Sequence, residues 1–345
     1  MINAMVSETK ANGIANRLGN AQPVETIYFG GGTPSLLSRE DLVKLLAVSY
    51  EYFDIVPGAE VTLEANPDDV NKTSLAHWKS IGINRISLGV QSFVDEDLKW
   101  MNRVHNASQS LNSISEIQEA GFENYSVDLI FGTPTLSDEN WKRNVETLIN
   151  LNVPHIAAYA LTVEPSTALE KMISLKKKDL VDPEKQAIQF TMIMNWLNQN
   201  GYQHYEISNY CKPGKKSKHN SSYWKGIPYV GIGPSAHSFD GKKRSWNISN
   251  NAMYISMVKN SLPFEEEVLT ETQLLNEYIM ISLRTMEGLD LDFVHHQFGK
   301  NYADKVNEAS KPFEKRNLTT RQKNIILLTS EGKLFADGIA SELFF

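Results

Sequence analysis

Short β-rich runs alternate with helix-length amphipathic stretches through the first half of this 345-residue chain, and that rhythm limits the fold more than any other feature. The runs are residues 26–29, 60–64, 85–88, 126–131 and 155–161. Between them, 39–53, 72–81, 107–120 and 140–151 carry apolar residues at spacings of three and four, the period of a helix with one buried face. One apolar run alone could be a turn of buried helix. A regular succession of them implies parallel strands joined by helical crossovers. Gly82, Gly121 and Asn152-Val153-Pro154 each stop a helix just before the next strand, where helix terminators belong. The length exceeds one ordinary compact domain, so a large barrel or a main domain with an appendage is expected.

The bulk numbers remove whole classes of function. Apolar residues at 41% and charged residues at 22% are ordinary globular values. A formal net charge of −7 gives no footprint for nucleic acid. No window of roughly 18 apolar residues exists, so contact with a membrane is at most peripheral. The start, Met1-Ile2-Asn3-Ala4-Met5, lacks the basic-then-apolar pattern of a secretory signal, and a cytoplasmic location is expected. The single cysteine, Cys211, excludes disulfides within the chain and any site that needs several thiolates from it.

Polar residues gather where the strands end. Gly30-Gly31-Gly32-Thr33-Pro34 follows the first strand, and bare backbone there either cradles a ligand or makes a turn that needs positive φ. Glu64, Gln91 and Asp128 end or interrupt the next three strands. Each alone could be a loop cap. In a parallel barrel, however, the C-terminal strand ends surround one mouth, so the glycines and these three side chains are expected to converge.

The segments YFGGGTPSLLS, TLEANPDDV, INRISLGVQSFVDEDLKWMNRVH, SVDLIFGTP and AAYALTVEPST, taken in order, resemble the strand-end motifs of the radical S-adenosylmethionine enzymes related to oxygen-independent coproporphyrinogen III oxidase. YEISNYCKPG, YVGIGPSAHSF, LRTMEGLD and His219-Asn220-Ser221-Ser222-Tyr223-Trp224, which fits the pattern HNxxYW, are similar to the heme chaperone branch, HemW. The resemblance runs from Glu25 to the end of the chain. It implies a partial (β/α)6 TIM-like barrel missing its first strand, plus a small helical, winged-helix-like C-terminal domain. The implied division is a residual N-terminal helix region over 1–24, the barrel with a heme-loop extension over 25–265, and the C-terminal domain over 266–345.

The same resemblance implies that S-adenosylmethionine lies against Gly31, Gly32, Thr33, Glu64, Gln91, Arg103, Asp128, Tyr159 and Ala160. A carboxylate there can accept from ribose hydroxyls or an ammonium, and an arginine can grip a carboxylate in two places. Arg103 could instead be a surface salt-bridge residue. Relatives also carry a CxxxCxxC loop for a 4Fe–4S cluster. That loop is missing here, so the expected cluster of the full-length family cannot be ligated by this chain, and either a truncated form or a natural cluster-less relative is expected. Cys211 reads as an incidental thiol.

For the HNxxYW segment the resemblance implies heme or porphyrin contact through His219, Asn220, Tyr223 and Trp224, with His219 a candidate axial ligand. By chemistry alone, the loop 211–226 offers aromatic faces and several lysines to a tetrapyrrole with two propionates, and equally reads as a solvated basic loop. The neighbouring Gly231-Ile232-Gly233-Pro234-Ser235-Ala236-His237 can approach a ligand closely, or His237 can be a structural donor. Two functions follow: a chaperone that passes heme to acceptor proteins, and an oxidase that decarboxylates a porphyrinogen propionate in porphyrin biosynthesis. An ordinary barrel enzyme without cofactor would leave the motif order unexplained.

Overall fold

The computed structural model describes residues 1–18, 22–259 and 264–345. The chain divides into two compact units. The first is Met1–Tyr28 with Leu36–Glu60 and Lys218–Phe345, and the second is Phe29–Ser35 with Val61–Ser217. A helix spans Ile2–Leu18 within the 1–24 region named above, of which residues 19–21 lie outside the described residues.

The strand rhythm is realised as β1 (Val24–Phe29), β2 (Ile55–Ala65), β3 (Arg85–Gln91), β4 (Tyr125–Phe131) and β5 (His155–Ala160). Two short strands, β6 (Gln203–Glu206) and β7 (Asn209–Cys211), extend the sheet, whose order is β1-β2-β3-β4-β5-β7-β6. β2 to β5 pair in parallel, while β7 pairs antiparallel with both β5 and β6. Strand β2 begins earlier than its apolar run suggests, because Pro57-Gly58 reads as a turn but lies within the strand, with Gly58 at φ 77°.

Helix boundaries follow capping chemistry. Helices Lys72–Ser80 and Ala107–Glu119 both open on capping boxes, Asn71 with Ser74 and Asn106 with Gln109. Helix Arg39–Tyr52 opens on Ser38, whose oxygen accepts from Asp41 N–H. Strands β2, β3 and β4 each carry a continuous buried run, and toward their C-terminal parts burial alternates with period two. Leu63, Ile86, Leu88, Val127 and Leu129 are buried, whereas Glu64, Ser87 and Asp128 occupy the less buried positions between them.

In the second unit, helix Pro183–Gln199 is held by one buried side chain. Gln189, 0% exposed, accepts Gly132 N–H at 2.8 Å through Oε1. Its Nε2 donates to Leu136 carbonyl at 3.1 Å and to Asp138 at 3.0 Å, and its backbone carbonyl accepts from Trp141 Nε1 at 2.9 Å. The amide thus satisfies the turn that follows β4.

The first unit adds two small sheets: β8 (His237–Phe239), β9 (Lys243–Asn247) and β10 (Phe264–Val268), then β11 (Leu289–Asp290), β12 (Thr319–Gln322) and β13 (Ile325–Leu328), all antiparallel. The C-terminal helices Glu271–Leu283, Leu291–Phe298 and Lys300–Lys315 bury Leu275, Ile279, Val294, Val306 and Phe313 against Ile326 and Ile339. Helices followed by a hairpin match the expected winged-helix-like pattern. No described helix is long and apolar enough to cross a membrane.

Replacing Gln189 by leucine leaves Gly132 N–H and Leu136 carbonyl without partners, at about 1–3 kcal/mol for each buried group stranded. Urea denaturation of Gln189→Leu is expected to show a loss of ~2–4 kcal/mol; an unchanged midpoint would show that the amide is dispensable.

Candidate functional site

The glycine loop is tied down at both ends. Gly31 N–H donates to Glu64 Oε2 at 3.1 Å, and Ser35 Oγ donates to Asp69 Oδ2 at 2.7 Å. Gly31 stands at φ 98°, which favours glycine, and a Cβ built on Gly31 or Gly32 meets no atom within 4 Å. The first glycine is therefore needed for conformation, while the space beside both is open. Thr33 follows at φ 44°, an uncommon backbone for a β-branched residue.

Gln91 is also in the left-handed region, at φ 68°, where the pairing of β3 with β4 shifts register after Leu88. Such strain persists only where neighbours over-determine it. Here Ser92 Oγ donates to Asp97 at 3.0 Å and accepts from Asn144 at 3.0 Å, Asn144 accepts Phe93 N–H at 3.1 Å, and Thr135 Oγ1 also donates to Asp97. His105 Nε2 pairs with Val90 carbonyl at 3.0 Å on the other side. Burial holds the His105 imidazole below its ordinary pKa. The Gln91 amide folds back over Gly89, where a Cβ would stand 3.0 Å from Nε2 and 3.6 Å from Asn66. These bracing residues were not anticipated from the sequence; the motif VQSFVDEDL carries Ser92 and Asp97, and nothing in its spacing distinguishes them from helix-start caps.

Arg103 is positioned by a helix terminus rather than scattered on the surface. After helix Asp95–Trp100, Asn102 N–H donates to Lys99 carbonyl at 3.1 Å and Arg103 N–H to Leu98 carbonyl at 2.8 Å, with Asn102 at φ 58°. This paired closure reverses the chain. The guanidinium is half-buried, its pKa lowered by burial and held up by the charges of Asp128 and Asp68.

Asp128 keeps a partly exposed surface, yet so much protein surrounds it that desolvation, then the charge of Glu64, pushes its carboxyl up to about 7. Arg85, Arg103 and a hydrogen bond from Ser87 oppose that shift. Tyr159, 41% exposed at the end of β5, has its hydroxyl pushed up by burial and then by Asp128. Ala160 pairs with Phe131 in the same β4–β5 ladder. A hydrogen bond joins Gly31 to Glu64, and charge coupling links Glu64, Arg103, Asp128 and Tyr159 within the second unit. Gly32 and Thr33 adjoin Gly31 in the same loop, whereas the Gln91 amide lies against Gly89 and Asn66, and Ala160 is tied to the site only by its place in the β4–β5 ladder.

The HNxxYW residues lie in the first unit, and on a helix, Lys218–Trp224, rather than the expected loop. The reason is a carboxylate at its start: buried Glu60 accepts Lys218 N–H at 3.3 Å and His219 N–H at 3.0 Å, satisfying free amides of the first turn. Helical spacing then puts His219 and Tyr223 on one face. His219 Nδ1 pairs with Thr26 Oγ1 at 2.8 Å, Nε2 with Tyr223 hydroxyl at 3.1 Å, and the ring stacks on Tyr28 at 4.6 Å and 18°. Tyr223 packs edge-on against Tyr229 at 4.8 Å, and Tyr229 lies 6.4 Å from Phe239. Asn220 and Trp224 share an adjacent helix face, and Arg284, bonded to Asp337 at 2.9 Å, lies 5.2 Å over the Trp224 ring.

The lysines do not form one patch. Lys212 donates to Asn152, Lys215 to Glu123 carbonyl at 3.3 Å, and Lys216 lies 5.4 Å over Tyr205, all within the second unit. Cys211 is buried in β7 with its thiol pushed up to about 11 by burial, as suits an inert thiol. In the Gly231–His237 loop the close approach is to the protein itself: a Cβ on Gly231 would stand 2.1 Å from His237 carbonyl, and Gly233 N–H donates to buried Glu8 at 2.8 Å.

Two family models match the chain: the radical SAM superfamily over residues 7–148 and the HemN C-terminal domain over 269–335. The heme chaperone HemW of Bacillus subtilis (strain 168) is 32% identical, with 92% of this chain and 84% of the relative covered. That of Lactococcus lactis is 33% identical over 90% and 82%. Radical S-adenosyl methionine domain-containing protein 1 of Danio rerio, a mitochondrial protein, is 30% identical over 84% and 67%. Among solved structures, coproporphyrinogen III oxidase (HemN) from Escherichia coli, a radical SAM enzyme, superposes with a TM-score of 0.79 at 21% identity, covering 98% of this chain and 83% of that one. The curled, mainly parallel sheet and the C-terminal module are thus those of the HemN-type radical SAM fold, and the chain belongs to the HemW family of radical SAM proteins.

Proposed function

We propose that this chain is a heme chaperone: it binds heme at the Lys218–Trp224 helix and delivers it to acceptor proteins. The observation that carries this reading is the half-exposed aromatic cluster around His219 and Tyr223, which offers ring faces and a ligand atom from the His219–Tyr223 pair to a flat metalloporphyrin. The relatives named heme chaperones support it. On the same reading, residues 25–265 form the partial barrel with its heme segment and 266–345 the C-terminal module, supported by the family match over 269–335.

S-adenosylmethionine is assigned to the second unit. Its ammonium, carboxylate, sulfonium and ribose hydroxyls fit a set made of a glycine backbone, two carboxylates, an amide and an arginine. Glu64 would hold the loop backbone and a cationic group, Arg103 the carboxylate, and Asp128 a hydroxyl or the positive charge. The residues of this chain do not fit a 4Fe–4S cluster, since one buried thiol cannot replace three thiolates, and no described group of His, Cys, Asp and Glu could hold a metal ion.

Titrating the protein with ferric heme is expected to give a saturable Soret shift at one heme per chain, and transfer to an added apo-acceptor should follow. The absence of any Soret change would sink the chaperone reading.

A second outcome concerns Asp128. S-adenosylmethionine is cationic at its sulfonium, so affinity should rise with pH through about 7 as the carboxyl ionises. Calorimetric titrations from pH 5.5 to 8.5 should show that rise in the wild type and a flattened profile in Asp128→Asn. The same group costs stability: its folded pKa is raised, so the folded state holds the proton more tightly. Stability then falls with increasing pH between the ordinary carboxylate range and about 7. Asp128→Asn should gain stability relative to wild type on going from pH 5 to pH 8, by on the order of 2 kcal/mol. A pH-independent difference between the two proteins would contradict the assignment.

A further inference from the structure

In a heme site built on His219 and Tyr223, histidine is the ligand that chemistry suggests first. The geometry points elsewhere. We infer that the Tyr223 hydroxyl is the iron ligand and that His219 is its positioning residue, an inference that rests on the heme reading above.

Both ring nitrogens of His219 are engaged, Nδ1 with Thr26 Oγ1 at 2.8 Å and Nε2 with Tyr223 hydroxyl at 3.1 Å. One ring face is covered by Tyr28 at an interplanar angle of 18°. The backbone is fixed as well, because Glu60 accepts His219 N–H at 3.0 Å. An iron bound to Nε2 must sit along the nitrogen lone pair, in the imidazole plane, which is where the Tyr223 oxygen stands. Ligation through His219 Nε2 would have to displace the Tyr223 hydroxyl from that position.

Tyr223 has the opposite situation. It is 42% exposed, and its oxygen keeps a lone pair beyond the one contact with His219. The edge-on contact with Tyr229 at 4.8 Å fixes the ring without covering the hydroxyl. Tyrosine is an accepted axial ligand of heme iron.

The proton balance closes within the pair. In the tautomer whose Nδ1–H donates to Thr26 Oγ1, Nε2 is an acceptor facing the phenol. On binding ferric heme the phenol O–H bond breaks, the O–Fe bond forms, and the proton passes to Nε2. The iron stays ferric and no electron moves. A ferric centre stabilises a phenolate ligand better than a ferrous one.

Absorption and resonance Raman spectra of the full chain loaded with ferric heme test the assignment. The wild type is expected to be high-spin, with phenolate-to-iron charge transfer and enhanced phenolate modes. Tyr223→Phe should lose both and release heme to an apo-globin scavenger at least about tenfold faster, the size of a lost bond to a charged group. His219→Ala should keep the phenolate modes at shifted frequency with faster release, and His219→Gln, which restores an acceptor for the hydroxyl, should recover much of the loss. Circular dichroism on each variant confirms its fold. A low-spin wild-type spectrum that survives Tyr223→Phe and vanishes in His219→Ala would overturn the inference while leaving the chaperone reading intact. A wild type that takes up no heme would remove that reading itself.

Discussion

Strand β2 supplies the two carboxylates on which both candidate sites depend. Three consecutive glycines and a helix of seven residues share one problem: neither has a fixed conformation of its own. Glu64 answers it for the loop by accepting Gly31 N–H, and Glu60 answers it for the Lys218–Trp224 helix by accepting its first two free amides. An acceptor that is already part of a sheet loses little further freedom in making these bonds, which makes the ordering of loop and helix less costly.

The strands and their crossover helices were legible because burial imposes a period, and the sequence from Thr26 to Leu161 keeps it. Caps such as Asn71 and Asn106 then fix the helix starts to within a residue. The rhythm does not continue past β5, and there the reading thins. Helix Pro183–Gln199 has a clear start in Asp182-Pro183, but its central buried position is Gln189, a polar residue that a hydrophobic pattern does not count. The HNxxYW helix was hidden for a related reason. It is short, rich in Asn and Ser, and stabilised by a carboxylate more than 150 residues away in sequence.

The polar residues of the glycine-loop site were readable as strand-end residues, yet what holds them was not. Positive φ at Thr33 and Gln91 costs of order 1–3 kcal/mol each, and no local sequence preference predicts it. The compensation lies in Ser92, Asp97, Thr135, Asn144 and His105, contributed by four separate stretches of chain. A desolvated Asp128 beside Glu64 adds a further cost that a core built for stability alone would avoid. Strain and like charge gathered at the same strand ends are better explained by a ligand's requirements than by folding.

The two constellations also differ in how they meet a ligand. In the second unit the charged groups are set, and a cationic ligand there would replace repulsion between Asp128 and Glu64 with attraction, so binding and stability gain together. In the first unit the imidazole of His219 is already satisfied on both nitrogens, and a metalloporphyrin gains only what the exposed Tyr223 oxygen and the aromatic faces provide. A tight resting network beside a single available ligand atom favours a bond that forms without rebuilding the site and breaks as readily. That is the behaviour a carrier needs, since a protein that hands its cargo on is limited by how fast it lets go.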